Sequence, residues 1–195
     1  MQENLCFYYS AMKGGKTTRI FQKIHDLEEN DQQVLLIKPA QDTKGEAQII
    51  NRLKQTRTVD ILLFPTAKIL SEENIDKIYD CDHIIVDEAQ FLTRKQVVQL
   101  TDVVDILEIP VICYGLRTNF RMKFFEGSGP LMEMADKIEE IKTICECGKK
   151  ATVNMRMISG VPVTTGPDIL IGGNDSYKAV CRKCYKRLTH HVAGI

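Results

Sequence analysis

The chain has 195 residues, 44% of them hydrophobic, enough for one sizeable core plus a small satellite unit and too little for two full domains. Lys and Arg together number 26, as do Asp and Glu, so no global basic field draws the protein onto nucleic acid or an anionic membrane, and a small partner is expected. No basic segment precedes the short N-terminal apolar run, and no apolar stretch reaches about 18 residues, which leaves secretion and membrane spanning unsupported and a cytoplasmic location expected.

Residues 5–9 (LCFYY) are an apolar strand that breaks into SAMKGGKTT, residues 10–18. Two glycines permit backbone angles other residues resist, so consecutive N–H groups can point at one oxyanion. Ile20, Phe21, Ile24 and Leu27 then recur at helical spacing, and the positive end of that helix lies under the bound phosphates. The pattern is that of a phosphate-binding loop, with Lys16 reaching the β/γ-phosphates and Thr17 on Mg²⁺; Ser10 stands where the first Gly is usual. The blander alternative is an ordinary strand-to-helix turn.

Residues 33–38 (QVLLIK) read as a second strand stopped by Pro39, and residues 47–53 as a short amphipathic piece. Residues 59–64 (VDILLF) read as a third strand, with Ser71 capping a helix to about Asp80. Residues 83–87 (HIIVD) form a strand expected beside the phosphate strand, running into Glu88, Ala89, Gln90 and Phe91. Thr93 and Gln96 make a capping box that opens a helix ending near Glu108, and residues 111–114 form a further strand before a loop at 116–125. This alternation implies an α/β fold: a mostly parallel, RecA-like P-loop sheet with helices on both faces and ligands at the strands' carboxyl ends.

In the Asp87-Glu88 pair, the Asp would hold the water shell of a nucleotide's Mg²⁺, and Glu88 is the candidate base for the attacking hydroxyl. Two solvated acids capping a strand are the alternative.

Composition changes after Thr143. The expected division is residues 1–143 as a nucleotide-binding domain and 144–195 as a small zinc-binding domain. Cys145 and Cys147 are separated from Cys181 and Cys184 by 33 intervening residues, 148 to 180. That is the arithmetic of a closed structural zinc site, whereas Cys6, Cys81 and Cys113 lie in or beside apolar runs as buried thiols. The alternatives are four reduced thiols, or His190 or His191 replacing one ligand.

YSAMKGGKTT, the DEAQF run, YGLRTNF and the paired cysteines bracketing IGGNDSY together resemble the zinc-containing cytosolic (type II) thymidine kinases over nearly the whole chain. The resemblance implies transfer of the ATP γ-phosphate to the 5′-hydroxyl of thymidine, with deoxyuridine a possible second substrate, in pyrimidine deoxynucleotide salvage. It implies ATP and Mg²⁺ held by Ser10, Ala11, Met12, Lys13, Gly14, Gly15, Lys16, Thr17, Thr18, Asp87 and Gln90. It also implies a lasso at residues 152–180 tied by zinc, whose Leu170, Ile171, Gly172 and Gly173 line the base while Tyr177 closes on the nucleoside. Met12, Phe91, Leu116, Phe120 and Phe125 would form the apolar pocket, and Asp42 would meet the sugar 3′-hydroxyl. A homotetramer and feedback inhibition by dTTP are family expectations. Four positions depart from the family pattern: Ser10, Lys44 where Arg is common, Arg117 where others carry Asp, and a first cysteine pair one residue tighter than Cys-x-x-Cys.

Two other functions compete. Asp87 to Gln90 also looks like the acidic motif of helicases, but those need two ATPase lobes. A nucleic-acid-binding zinc module would use Lys149, Lys150, Arg182, Lys183, Lys186 and Arg187, which more often form a solvated face.

Overall fold

Alternation along the first strand decides which layer each residue joins. In the computed structural model, which describes residues 4–42, 47–166 and 176–190, strand β1 (Leu5–Ser10) sends Leu5 and Phe7 to one face and Cys6 to the other. The first face is covered by helices α3 (Arg94–Leu107) and α4 (Ser128–Met134), the second by α1 (Lys16–Glu28) through Ile20, Ile24 and Leu27. Burial on both faces explains why the central strands read as unbroken apolar runs.

The other strands of this layer are β2 (Val34–Pro39), β5 (Ile61–Leu63), β6 (His83–Val86), β7 (Val111–Leu116) and β8 (Lys137–Ile141). Their order is β5-β2-β6-β7-β1-β8, with every pairing parallel. The strand carrying the acid pair therefore does not lie beside the phosphate strand, as its sequence suggested. β7 sits between them, with Val111 aligned to both Leu5 and Ile84. Its residues are all buried, so the three strands form one apolar centre and their carboxyl ends share one edge.

Several local expectations are corrected. The amphipathic piece expected over residues 47–53 belongs to a hairpin, β3 (Gln48–Ile50) with β4 (Thr56–Thr58), in which Ile49 turns inward between the exposed Gln48 and Ile50. The strand expected over 59–64 is confined to β5; Asp60, just before it, bonds Leu36 twice, its N–H donating to the Leu36 carbonyl at 2.9 Å and its Oδ2 accepting from the Leu36 N–H at 2.7 Å. The helix expected from Ser71 begins later, as α2 (Ile75–Tyr79). The Thr93 capping box is present with both reciprocal bonds.

The apolar pattern of the sequence does not mark β8, since Lys137–Ile141 carries three charges in five residues. It forms the sheet's edge strand beside β1, where charges are tolerated.

Among the described residues, the C-terminal part has two small sheets. One pairs β9 (Thr143–Ile144) with β10 (Lys150–Ala151). The other orders β12 (Val161–Val163), β11 (Val153–Ile158) and β13 (Tyr177–Val180), followed by α5 (Arg182–His190). Their core contains Cys145, Val153, Met155, Cys181, Cys184 and Tyr185, and also Ala11 of the phosphate loop. The two parts of the chain thus meet at the loop itself.

Candidate active site

The turn after β1 is built by two unusual backbone conformations. Lys13 has φ 64° and Gly15 has φ 81°, and Gly15 then caps α1, so Lys16 is the first helical residue. Only glycine adopts the second angle without strain. Ser10 fits where the family pattern has Gly because its partner across the loop is small: a Cβ added to Gly14 would fall 2.6 Å from Ser10 Cβ and 2.7 Å from Thr143 Oγ1. The Ser10 and Thr143 hydroxyls are both buried without a hydrogen-bond partner.

A cleft of about 290 Å³ opens over this loop. Residues 12–18, Ile50, Asn51, Arg52, Glu88 and Leu116 line it. Of the residues singled out in the sequence, Met12, Lys13, Gly14, Gly15, Lys16, Thr17, Thr18, Glu88 and Leu116 are therefore brought together. Ser10, Ala11, Asp87 and Gln90 are buried behind the wall.

Glu88 turns sharply out of β6, with φ 50°, and its N–H donates to Asp87 Oδ1 at 2.8 Å. Gln90, 1% exposed, donates from Nε2 to Glu88 Oε2 at 2.5 Å, while its Oε1 accepts from the Leu116 N–H at 2.9 Å. The base candidate is thereby fastened to the end of β7. Burial, with repulsion from Glu88, raises the Asp87 carboxyl above the ordinary carboxylate range, while Lys16 pulls it down. A divalent cation against Asp87 would act in the same direction as Lys16.

Asp42, Phe91, Phe120, Phe125 and Tyr177 are not among the residues that line this cleft. Asp42 Oδ2 lies 3.0 Å from Lys38 Nζ, and that lysine, 1% exposed, also donates to the Gln48 carbonyl at 3.2 Å. Phe91 and Phe125 pack edge to face at 5.8 Å, and Phe120 is fully buried. Arg117 lies over the Tyr9 ring at 5.4 Å. Leu170, Ile171, Gly172 and Gly173 lie outside the described residues, as do Lys44 and His191; of His190 only the backbone is described.

Three buried side chains escaped the sequence reading. Asn154 accepts from the Met12 N–H at 2.7 Å and donates to the Thr118 carbonyl at 3.0 Å, tying β11 to the phosphate loop. The Arg156 guanidinium, 1% exposed, lies 3.9 Å above the Phe120 ring and donates twice to Tyr177 Oη, at 3.1 and 2.8 Å. Lys38 is the third. Their common signal was a polar or charged residue inside an otherwise apolar strand.

The sulfur atoms of Cys145, Cys147, Cys181 and Cys184 all lie within 4.8 Å of one another, with Cys147 and Cys181 3.6 Å apart. Four thiolates at about 2.3 Å from a tetrahedral zinc stand about 3.8 Å apart, so this set fits the ion. Cys145, Cys181 and Cys184 are buried and Cys147 is exposed. The tight Cys-Glu-Cys spacing is accommodated by the turn at Gly148, φ 80°, closed by the Gly148 N–H donating to the Cys145 carbonyl at 2.8 Å.

A parallel sheet with a phosphate loop after one strand, a lysine opening the next helix and an acid pair ending another strand define a P-loop nucleotide-binding protein. The family model for thymidine kinase matches residues 3–185. A thymidine kinase of Legionella pneumophila is 44% identical over 191 residues, spanning 94% of this chain and 89% of the relative. That of Haemophilus influenzae is 44% identical over 189 residues, 93% of this chain and 95% of the relative. That of Pasteurella multocida is 43% identical over 190 residues, 93% and 96%. The chain belongs to the thymidine kinase family. Among solved structures, AMPPCP-bound DnaA from Aquifex aeolicus superposes with a TM-score of 0.44 at 18% identity, over 70% of this chain and 40% of that one, too loosely to add to the argument.

Proposed function

We propose that this chain transfers the γ-phosphate of ATP to the 5′-hydroxyl of thymidine in pyrimidine deoxynucleotide salvage, with deoxyuridine as a weaker acceptor. The observation that carries the reading is the meeting of Glu88 with residues 12–18 in one cleft. In the transfer the bond from the γ-phosphorus to the bridging oxygen breaks, releasing ADP, and the 5′-oxygen bonds to phosphorus. Glu88 takes the hydroxyl proton. Lys16 and the loop N–H groups hold the β- and γ-phosphates. Asp87 and Thr17 are the residues that would hold Mg²⁺, which when bound neutralises charge on those phosphates.

On the acceptor side, Met12, Leu116, Phe91, Phe120, Phe125 and Tyr177 enclose the nucleoside, Asp42 meets the sugar, and residues 170–173 read the base through their backbone. The Lys38 contact that holds Asp42 supports this arrangement. Cys145, Cys147, Cys181 and Cys184 hold one structural zinc. Residues 1–143 then act as the nucleotide-binding domain and 144–195 as the zinc-binding lasso domain. A cytoplasmic homotetramer inhibited by dTTP completes the proposal. Feedback is chemically reasonable because one nucleotide can span both the nucleoside and phosphate sites.

The test is phosphate transfer from ATP across a panel of nucleosides. Thymidine, alone or with deoxyuridine, is the expected acceptor; a purine nucleoside as best acceptor would overturn the reading.

A further inference from the structure

Arg52 has no place in the roles assigned so far, yet it lines the phosphate cleft. It sits at the tip of the β3–β4 hairpin, far in sequence from the loop it faces, and its Nη2 donates to the Lys13 carbonyl at 2.8 Å. The tip is a built structure. Asn51, 6% exposed, accepts through Oδ1 from the N–H groups of Leu53 and Gln55 at 2.9 and 3.1 Å and donates from Nδ2 to Gln55 Oε1. Its backbone bonds both Gln55 and Lys54, and Lys54 takes φ 62° to close the turn. Ile49, 2% exposed, anchors the hairpin in the core on the α1 side of the sheet. The hairpin is thus fixed at its base and presents an arginine to the loop.

A guanidinium has five N–H donors in a rigid fork, and a neutral carbonyl is a weaker partner for it than a phosphate oxygen. The cleft wall carries three cations, Lys13, Lys16 and Arg52, against the single acid Glu88. Resting on Lys13, Arg52 is within the same cleft as both the phosphate-binding loop and the base.

We propose that Arg52 is a catalytic residue that donates to the transferring phosphoryl group, an arginine finger supplied in cis by the β3–β4 hairpin. This rests on the reading of the cleft as the ATP site. As the bond to the leaving ADP oxygen breaks and the bond to the 5′-oxygen forms, charge spreads over the three equatorial oxygens. Arg52 stabilises that charge while Glu88 receives the proton.

The test is steady-state kinetics with ATP and thymidine on wild type, Arg52→Ala, Arg52→Lys and Lys16→Ala. Arg52→Ala should lose about 100-fold or more in kcat, with KM for thymidine within about threefold and an unchanged melting temperature. Arg52→Lys should recover less than a tenth of the activity, because a point charge lacks the fork. Millimolar guanidinium or ethylguanidinium should restore part of the Arg52→Ala rate and leave wild type unimproved.

A kcat within threefold of wild type, a change confined to KM for ATP, or a loss without guanidinium rescue would each overturn the role of Arg52. Failure of the underlying site reading looks different: wild type would not use ATP, or Lys16→Ala would be as active as wild type.

Discussion

Gln90 holds Glu88 by the carboxylate: its side-chain amide donates to Glu88 Oε2, and its carbonyl oxygen is taken by the Leu116 N–H. The base candidate is therefore oriented by a buried side chain that does not line the cleft. Glu88→Gln should keep binding of both substrates and lose about 10²- to 10⁴-fold in kcat. Gln90→Leu keeps the volume and removes both bonds, so it should lower kcat by about tenfold with KM for ATP little changed. A Cβ added to Gly115 would lie 2.9 Å from Gln90 Oε1 and 3.1 Å from its backbone nitrogen, so Gly115→Ala should reproduce the Gln90 phenotype. Wild-type kcat in Gln90→Leu would show that Glu88 needs no such support.

The cysteine cluster carries a prediction that reaches beyond its own unit. Elemental analysis should find about one zinc per chain, and chelation should unfold the C-terminal sheets, since metal binding supplies folding free energy in sites of this kind. Ala11 packs in the same core as Cys145, Cys181 and Cys184. Zinc loss should therefore also raise KM for ATP, although no cysteine lines the cleft. A stripped protein with unchanged KM for ATP and an unchanged melting curve would refute the coupling.

What could be read from the chain were features whose partners are near in sequence. The SAMKGGKTT loop, the Thr93 cap and the Asp87-Glu88 pair each act within a few residues, so spacing alone exposes them. The site's scaffolding is different. Asn154 meets Met12 across 142 positions, Arg52 meets Lys13 across 39, and Arg156 meets Tyr177 across 21. Strand order was misread for the same reason: apolar content marks β6 and β7 as central without saying which lies next to β1. The edge strand Lys137–Ile141 was hidden because its charges suit an edge and resemble a loop.

Asn154 gives a test of how the two parts of the chain are joined. Asn154→Ala would leave the Met12 N–H and the Thr118 carbonyl without their partner, at a cost of about 1–3 kcal/mol for a buried unsatisfied group. The urea midpoint should fall accordingly, and KM should rise for both substrates, because Met12 belongs to the phosphate loop and lines the cleft. A loss of stability with both KM values unchanged would mean that Asn154 holds the fold and not the site.

His83 sets a pH limit on stability. Its Nε2 faces Gln32 Oε1 at 2.7 Å and its Nδ1 is buried without a partner. Burial first, and Lys23 second, hold its pKa below the ordinary histidine value, with Asp82 opposing. The neutral ring is therefore favoured by folding, and between the folded and unfolded pKa values the unfolded chain binds more protons. This contribution is fully present above about pH 6.5, the unfolded value, and is lost as pH falls through the folded pKa. Urea midpoints at pH 8 and pH 5.5 should differ more for wild type than for His83→Gln. Equal differences would remove His83 from the acid sensitivity.

Arg156 is a fully buried cation whose contacts join two residues of the expected nucleoside pocket. β11 and β13 pair Arg156 directly with Tyr177, but backbone register alone does not aim a tyrosine side chain. The guanidinium does so by donating twice to the hydroxyl while stacking on Phe120, so one planar group fixes two rings expected to touch the nucleoside. Lysine keeps the charge and loses both the stack and the fork. Arg156→Lys should raise KM for thymidine by about tenfold, with KM for ATP and kcat within about threefold and zinc content unchanged. Tyr177→Phe should have a smaller effect of the same kind. If the arginine acts through the tyrosine, the double variant Arg156→Lys/Tyr177→Phe should cost less than the sum of the two in ln KM, since each single change already breaks the same bonds. Additive effects would instead mean that Arg156 shapes the pocket through Phe120 alone.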